Sequence, residues 1–335
     1  MLNQEAIRRH LEATLPMASP GYRVDANETI AMARQLEYFF AKIYEVEYPL
    51  TEWRKLIPID TSVPTGAQAH TFRMFDQVGS AKIVTTYAED LPLVDATGKE
   101  YANPIRSIGA AFFLSIQDIR AAAMLGIDLD TRKANTARDV IERKIDALAA
   151  VGDVASGLPS LALNGDVTVL NGAGVTGGTD LTGNWSAASA TQIQADLEKL
   201  TKVPFDQTLG IHGGTDRKLT VVLPTTLYSL LATKRLDSFN MVTLLEYLEA
   251  HLPFVGEITS WARLNTIGKL AGANTGGNRI VVFSKDPDVV SAIVPQDFEM
   301  LPMQPKSLGY YVPCHMRFGG VVTRYPKAMV YADGC

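Results

Sequence analysis

"TRKANTARDVIERKIDALAAVGD", Thr131 to Asp153, decides how the rest of the chain is read. Ala134, Ala137, Ile141, Ile145, Leu148 and Ala149 recur at helical spacing and share one face of a long amphipathic helix. Asp130, just ahead, is its expected N-cap. The outer face carries Arg132, Arg138, Asp139, Glu142, Arg143 and Lys144, which reads as a solvated surface laced with internal ion pairs.

Upstream of this helix, Ser115 and Asp118 open a shorter helical stretch with Ile116, Ile119 and Ala123, broken at Gly126. Before that, from Trp53 to about Ile105, the period falls to two. His70, Phe72 and Met74 alternate with Thr71 and Arg73, and Ile83, Thr85 and Tyr87 alternate with Lys82, Val84 and Thr86. These spacings predict a long hairpin that turns near Asp76 to Ser80. A two-stranded hairpin is marginal in water, and its unpaired edges invite another chain. Phe72, Met74, Ile83 and Tyr87, which such a hairpin cannot hide, are therefore the candidate inter-subunit contacts. The first 50 residues read as two helices joined by a proline-containing connector. Ile7, Leu11 and Leu15 mark the first; Asp25 with Glu28, then Ile30, Ala33, Leu36, Phe40 and Ile43, mark the second.

Downstream, helix and strand alternate: a helix from Ala188 to Leu200, a strand around Val221, helices after Pro224 and from Val242 to Glu249, and strands near Ile258 and Ile280. This is a mixed α+β lobe. From Val289 onward short strands return, punctuated by Pro295, Pro302, Pro305, Pro313 and Pro326.

"VTVLNGAGVTGG", Val167 to Gly178, spaces Gly172, Gly174 and Gly177 as in a dinucleotide-binding turn. That turn works only when a helix follows at once, because the helix N-terminus holds the pyrophosphate. Here Gly178, Thr179, Asp180, Leu181, Thr182 and Gly183 follow, and the expected acid would be Asp196 or Glu198, inside a helical pattern. The stretch is better read as turns or a mobile loop.

The 335 residues are 47% hydrophobic and 20% charged, ordinary globular values that argue against pervasive disorder. A net charge of −5 without a polybasic tract disfavours a sequence-reading nucleic-acid binder. Two cysteines, Cys314 and Cys335, form no disulfide framework or zinc pattern, and a reducing setting is the default. There is no signal-peptide pattern and no apolar run long enough to span a membrane. Zincin, nucleophile-elbow and P-loop motifs are missing. His10, His70, His212, His251 and His315 fall singly on different elements, and "IHGG" at 211–214 reads as a turn. Cys314 and His315 are neighbours on a strand and point to opposite faces. Asp286 and Asp288 flank Pro287 as a turn would place them. No catalytic, cofactor or metal residue is assigned.

The order of elements carries more than any motif. An N-terminal arm, a hairpin ending in "EDLPLVDATGKEYANPIRSIGAAFFLS", the helix "LDTRKANTARDVIERKIDALAAVGD", an α+β lobe and a closing "YYVPCHMRFGGVVTRYPKAMVY" together resemble the major capsid proteins of tailed double-stranded DNA bacteriophages, a fold shared with encapsulins. The resemblance implies an α+β fold with an N-arm (1–52), an extended β-hairpin loop (53–108), a peripheral domain with a spine helix (109–155), an axial domain (156–288) and peripheral return strands (289–335). It places the glycine stretch in a surface loop of the axial domain. It also implies a structural, non-enzymatic subunit without cofactors, assembled in the host cytoplasm into the pentamers and hexamers of an icosahedral virion. That shell would enclose double-stranded DNA without sequence-specific binding, which the mild negative charge suits. Separate scaffold, portal and decoration proteins are the further partners, and no membrane is involved. Some relatives cross-link a loop lysine to a neighbour's asparagine. Lys82 and Lys99 are on this loop, but no asparagine occurs from Val289 to Cys335. Two alternatives stand beside this reading: an encapsulin-type compartment and, further off, a soluble α+β enzyme.

Overall fold

A computed structural model describes residues 51–83, 92–125, 129–173, 178–214, 217–236, 242–252, 254–270 and 277–335. The two helices expected in the first 50 residues lie outside them. In chain order the elements are α1 (Trp53–Leu56), β1 (Ile59–Asp60), β2 (Ala69–Val78), β3 (Asp95–Pro104), β4 (Arg106–Ser115), α2 (Ile116–Leu125) and α3 (Leu129–Val151). Next come β5 (Thr168–Asn171), α4 (Ala190–Gln207), β6 (Leu219–Leu223), α5 (Thr225–Thr233), α6 (Leu244–His251), β7 (Val255–Ser260), α7 (Leu264–Leu270) and β8 (Arg279–Ser284). The chain closes with β9 (Val290–Ile293), β10 (Gln296–Met300), β11 (Gln304–Pro305), β12 (Gly309–Phe318), β13 (Val321–Thr323) and β14 (Met329–Asp333).

The expected helix is α3, and its apolar face is buried as expected at Ala137, Ile141, Ile145, Leu148 and Ala149. Its "outer" face is not uniformly solvated. Glu142 is 9% exposed and Asp146 3%, because tryptophans from distant segments donate hydrogen bonds to both. Beside the helix lies a sheet in which β12 pairs antiparallel with β4 along all of both strands, and with β10 and β11 on its other side.

The lobe is a five-stranded sheet in the order β5-β14-β8-β6-β7. The strands β6, β8 and β14 are buried along their whole length, as continuous apolar runs such as "LTVVL" require when both faces are covered. Side chains on one face, including Val222, Val281, Phe283 and Tyr331, join the core under α3. The other face, with Val221, Val282 and Val330, packs against α4, α5 and α6. Helix α4 begins at Ser189, whose side chain completes a capping box with Gln192. It runs past the expected end at Leu200 and through Pro204.

Two expectations are corrected. Among the described residues β2 pairs with β3, in a ten-residue antiparallel register from Ala69↔Pro104 to Val78↔Asp95, a partner that the expected turn near Asp76 to Ser80 does not provide for. Strand β2 therefore runs through Asp76 instead of turning there, and residues 84–91 lie outside the described ones. Gly172 is no mobile loop residue. It is buried after β5, and a Cβ there would lie 2.8 Å from the Gly334 carbonyl oxygen and 3.0 Å from Gly183 Cα, so glycine permits backbone contact. The next described helix starts only at Ala190, so the dinucleotide reading fails.

Candidate assembly surface

Strands β2 and β3 pair only with each other among the described residues. Their base is tied to the body: Ile105 N donates to Gln68 O at 2.8 Å, and the Arg317 guanidinium donates to the Thr65 and Ala67 carbonyls. One face carries His70, Phe72 and Met74, all half-buried. Phe72 stacks on cross-strand Tyr101 with ring centroids 5.2 Å apart, and the Arg324 guanidinium lies 5.8 Å from its ring. Burial, then the nearby Arg324 charge, lowers the His70 pKa, which Asp60 partly offsets. Burial alone would raise the Asp60 carboxyl, but hydrogen bonds from Ser62 and the charge of Arg324 outweigh it and hold it below the usual range. Arg73 and Glu100 pair across the strands at 3.5 Å in full view of solvent.

Away from that base the hairpin's apolar side chains stand exposed among the described residues. Phe75 is 71% exposed, Val94 73% and Leu93 94%, with Val78 also exposed. Of the four contact candidates, Phe72 and Met74 share the half-covered face, Ile83 is 93% exposed beyond the end of β2, and Tyr87 lies outside the described residues. The face that alternation marks at Phe72 and Met74 is half-buried, whereas Phe75, Val78, Leu93 and Val94, which alternation does not mark, are exposed. The signal for those four is their distance from the base of the hairpin. The far end is thus richer in exposed apolar groups than the sequence reading expected.

A second exposed apolar region lies where β4 meets α3. Phe113 and Val140, each 45% exposed, line a groove with Ala110, Ala111, Phe112 and Ala137. Lys133 closes one end by donating to the Phe113 carbonyl at 2.9 Å.

Among the described residues, the cysteines and histidines fall on separate elements and loops, apart from Cys314 and His315, which share β12. Cys314 is buried on β12 with its thiol pKa raised by burial, while His315 points to the other face and lies 3.9 Å from Glu299. Cys335 is also buried, and burial, then Asp196 and Asp333, pushes its thiol far up. His212 sits in the turn at 211–214, its pKa lowered by burial and by Arg217. Asp288 N donates to Asp286 Oδ1 at 3.1 Å, the turn that Pro287 suggested. Among the described residues no group of three or more His, Cys, Asp or Glu could hold a metal ion, and no helix is long and apolar enough to cross a membrane.

Residues 79–335 match the family described as "Major capsid protein". No curated protein matches the chain. Among solved structures, the capsid of Myoviridae phage XM1 aligns over 92% of this chain and 99% of its own, at 16% identity and a TM-score of 0.76. The capsid of an empty GTA particle aligns over 92% and 99%, at 14% identity and a TM-score of 0.62. The virus-like particle from Pyrococcus furiosus aligns over 83% and 91%, at 14% identity and a TM-score of 0.51. These likenesses establish a shared capsid fold.

Proposed function

This chain belongs to the major capsid protein family and is a structural subunit of a bacteriophage head, and from that premise we propose how it assembles. Copies close into an icosahedral shell of pentamers and hexamers, and a neighbouring subunit covers the hairpin. Phe72, Met74, Ile83 and Tyr87, together with Phe75, Val78, Leu93 and Val94, are the contact residues. The observation that carries this reading is the hairpin's far end, where apolar side chains stand in water on two strands that no third strand supports among the described residues. Burying two such side chains between subunits is worth roughly 3 to 6 kcal/mol before association costs. Closed symmetry repeats that contact in every copy.

The 1–52, 53–108, 109–155, 156–288 and 289–335 segments serve as arm, extended loop, spine-helix domain, axial domain and return strands. Assembly takes place in the host cytoplasm. The shell encloses double-stranded DNA without reading its sequence, in keeping with a net charge of −5. Light scattering and negative-stain microscopy of the purified protein test the reading, with known assembly factors added. Closed particles are expected. Monomers or dimers alone, at every salt concentration, would refute it. Protein cargo in place of DNA inside purified particles would favour an encapsulin-type compartment.

A further inference from the structure

The chain has three tryptophans, and each donates its indole N–H to a buried carboxylate. Trp185 and its acceptor Asp196 both belong to the lobe. The other two converge on α3. Trp53 Nε1 donates to Glu142 Oε2 at 3.1 Å, and Trp261 Nε1 donates to Asp146 Oδ1 at 3.0 Å. The two acceptors are one helical turn apart on the same side of the helix.

Each carboxylate also receives a guanidinium from the segment that supplies its tryptophan. Arg54 donates to Glu142 Oε1 through Nε at 3.1 Å and through NH2 at 2.6 Å, and reaches Asp297 Oδ1 on β10 at 2.7 Å. Arg263 Nε donates to Asp146 Oδ2 at 2.7 Å, while its NH2 donates to the Arg143 carbonyl at 3.2 Å. The Glu142 station therefore joins α1 and β10 to the helix. The Asp146 station joins it to the segment between β7 and α7, at the edge of the five-stranded sheet.

We propose that Glu142 and Asp146 are positioning residues that set the angle at which the five-stranded lobe and the peripheral strands stand on α3, and through it the curvature with which copies tile. The inference rests on the shell reading above. The core shared by α3 and the sheet is apolar, and apolar burial is non-directional, so it tolerates sliding and rotation. Hydrogen bonds weaken steeply with misalignment, and charge-assisted ones are the stronger kind. Each station holds a different element on the helix, Glu142 the α1 and β10 side and Asp146 the edge of the five-stranded sheet, so together they fix where both stand on α3. The sheet's further polar ties, Tyr331 OH to the Leu161 carbonyl and Arg279 NH1 to the Ala162 carbonyl at 2.7 Å, reach α3 only through its last turn, where the Leu161 and Ala162 amides donate to the Ala149 and Ala150 carbonyls. In a closed shell a small error of angle recurs in every subunit.

The test compares Asp146→Asn and Trp261→Phe with Ile145→Val, a core change on the same helix that leaves both stations intact. Two quantities are read for each: thermal unfolding of the unassembled subunit and the diameter distribution of the particles. Asp146→Asn and Trp261→Phe are expected to cut the fraction of particles at the parental diameter at least fivefold, and the double variant to add little because both act at one station. Ile145→Val is expected to lower the unfolding temperature and keep the parental diameter. If Asp146→Asn does not fold, Arg263→Lys, at a half-exposed side chain, is read in the same way. Parental diameters in every variant, with only stability lost, would overturn the inference while leaving the shell reading intact. A parent chain that forms no closed particle would overturn both.

Discussion

The strands β8 and β2 show two ways of being a strand. Every residue of β8 is buried, between neighbours on both edges and apolar cores on both faces. None of β2 is buried; among the described residues one neighbour, β3, holds it, and half-cover on one face gives way to exposure from Phe75 onward. The first strand's stability is the subunit's own. On the proposed reading another copy completes the second strand's contacts, so the two should respond oppositely to mutation and assembly.

The largest expected effect separates them from the core side. Phe283→Ala in β8 removes a fully buried ring and should cost about 3 to 5 kcal/mol of subunit stability in denaturant titration. A cost below about 1 kcal/mol would break the contrast. From the other side, Phe75→Ser with Val94→Ser should leave the free subunit within about 0.5 kcal/mol of the parent. Particle yield should drop about tenfold, the equivalent of roughly 1.4 kcal/mol. Undiminished particles would remove the hairpin from the interface.

A smaller effect sharpens the account at the root of α1. Burial, then the Asp146 charge, raises the Glu52 pKa, and Lys55 opposes them. A carboxyl raised in the fold stabilises the native state only when protonated, so ionised Glu52 is a penalty above its folded pKa. Glu52→Gln should therefore raise the unfolding temperature at neutral pH. That gain should shrink as pH falls through the folded value toward the unfolded one. A gain that grows on acidification would reverse the assigned sign. Arg73→Ala should do least, because its pair with Glu100 is solvent-exposed: at most about 0.5 kcal/mol by thermal unfolding.

The same contrast explains what could be read in the sequence. The stretches "LTVVL" and "RIVVFS" are legible because burial on both faces demands continuous apolar residues, and the stripe on α3 is legible because one face is buried. The strand β3, "DATGKEYANP", carries Asp95, Gly98 and Asn103 and has little strand propensity of its own. It is extended because β2 pairs with it, and local alternation around Ile83 pointed elsewhere. Glu142 and Asp146 look like surface acids in a helical pattern. Their burial depends on tryptophans 89 and 115 residues away, a separation that no periodicity encodes. Of the proposed contact surface, alternation in the sequence points to Phe72 and Met74. It does not point to Phe75, Val78, Leu93 and Val94, because their exposure follows from where the body of the molecule ends.

Amide hydrogen exchange, measured on free subunits and on assembled particles, tests the central claim most directly. The β8 amides at 279–284 should be protected in both. The β2 and β3 amides at 69–78 and 95–104 should exchange quickly in the free subunit and become at least a hundredfold slower in the particle. Equal protection of the hairpin in both states would mean that it belongs to the subunit's own core, and would contradict the account.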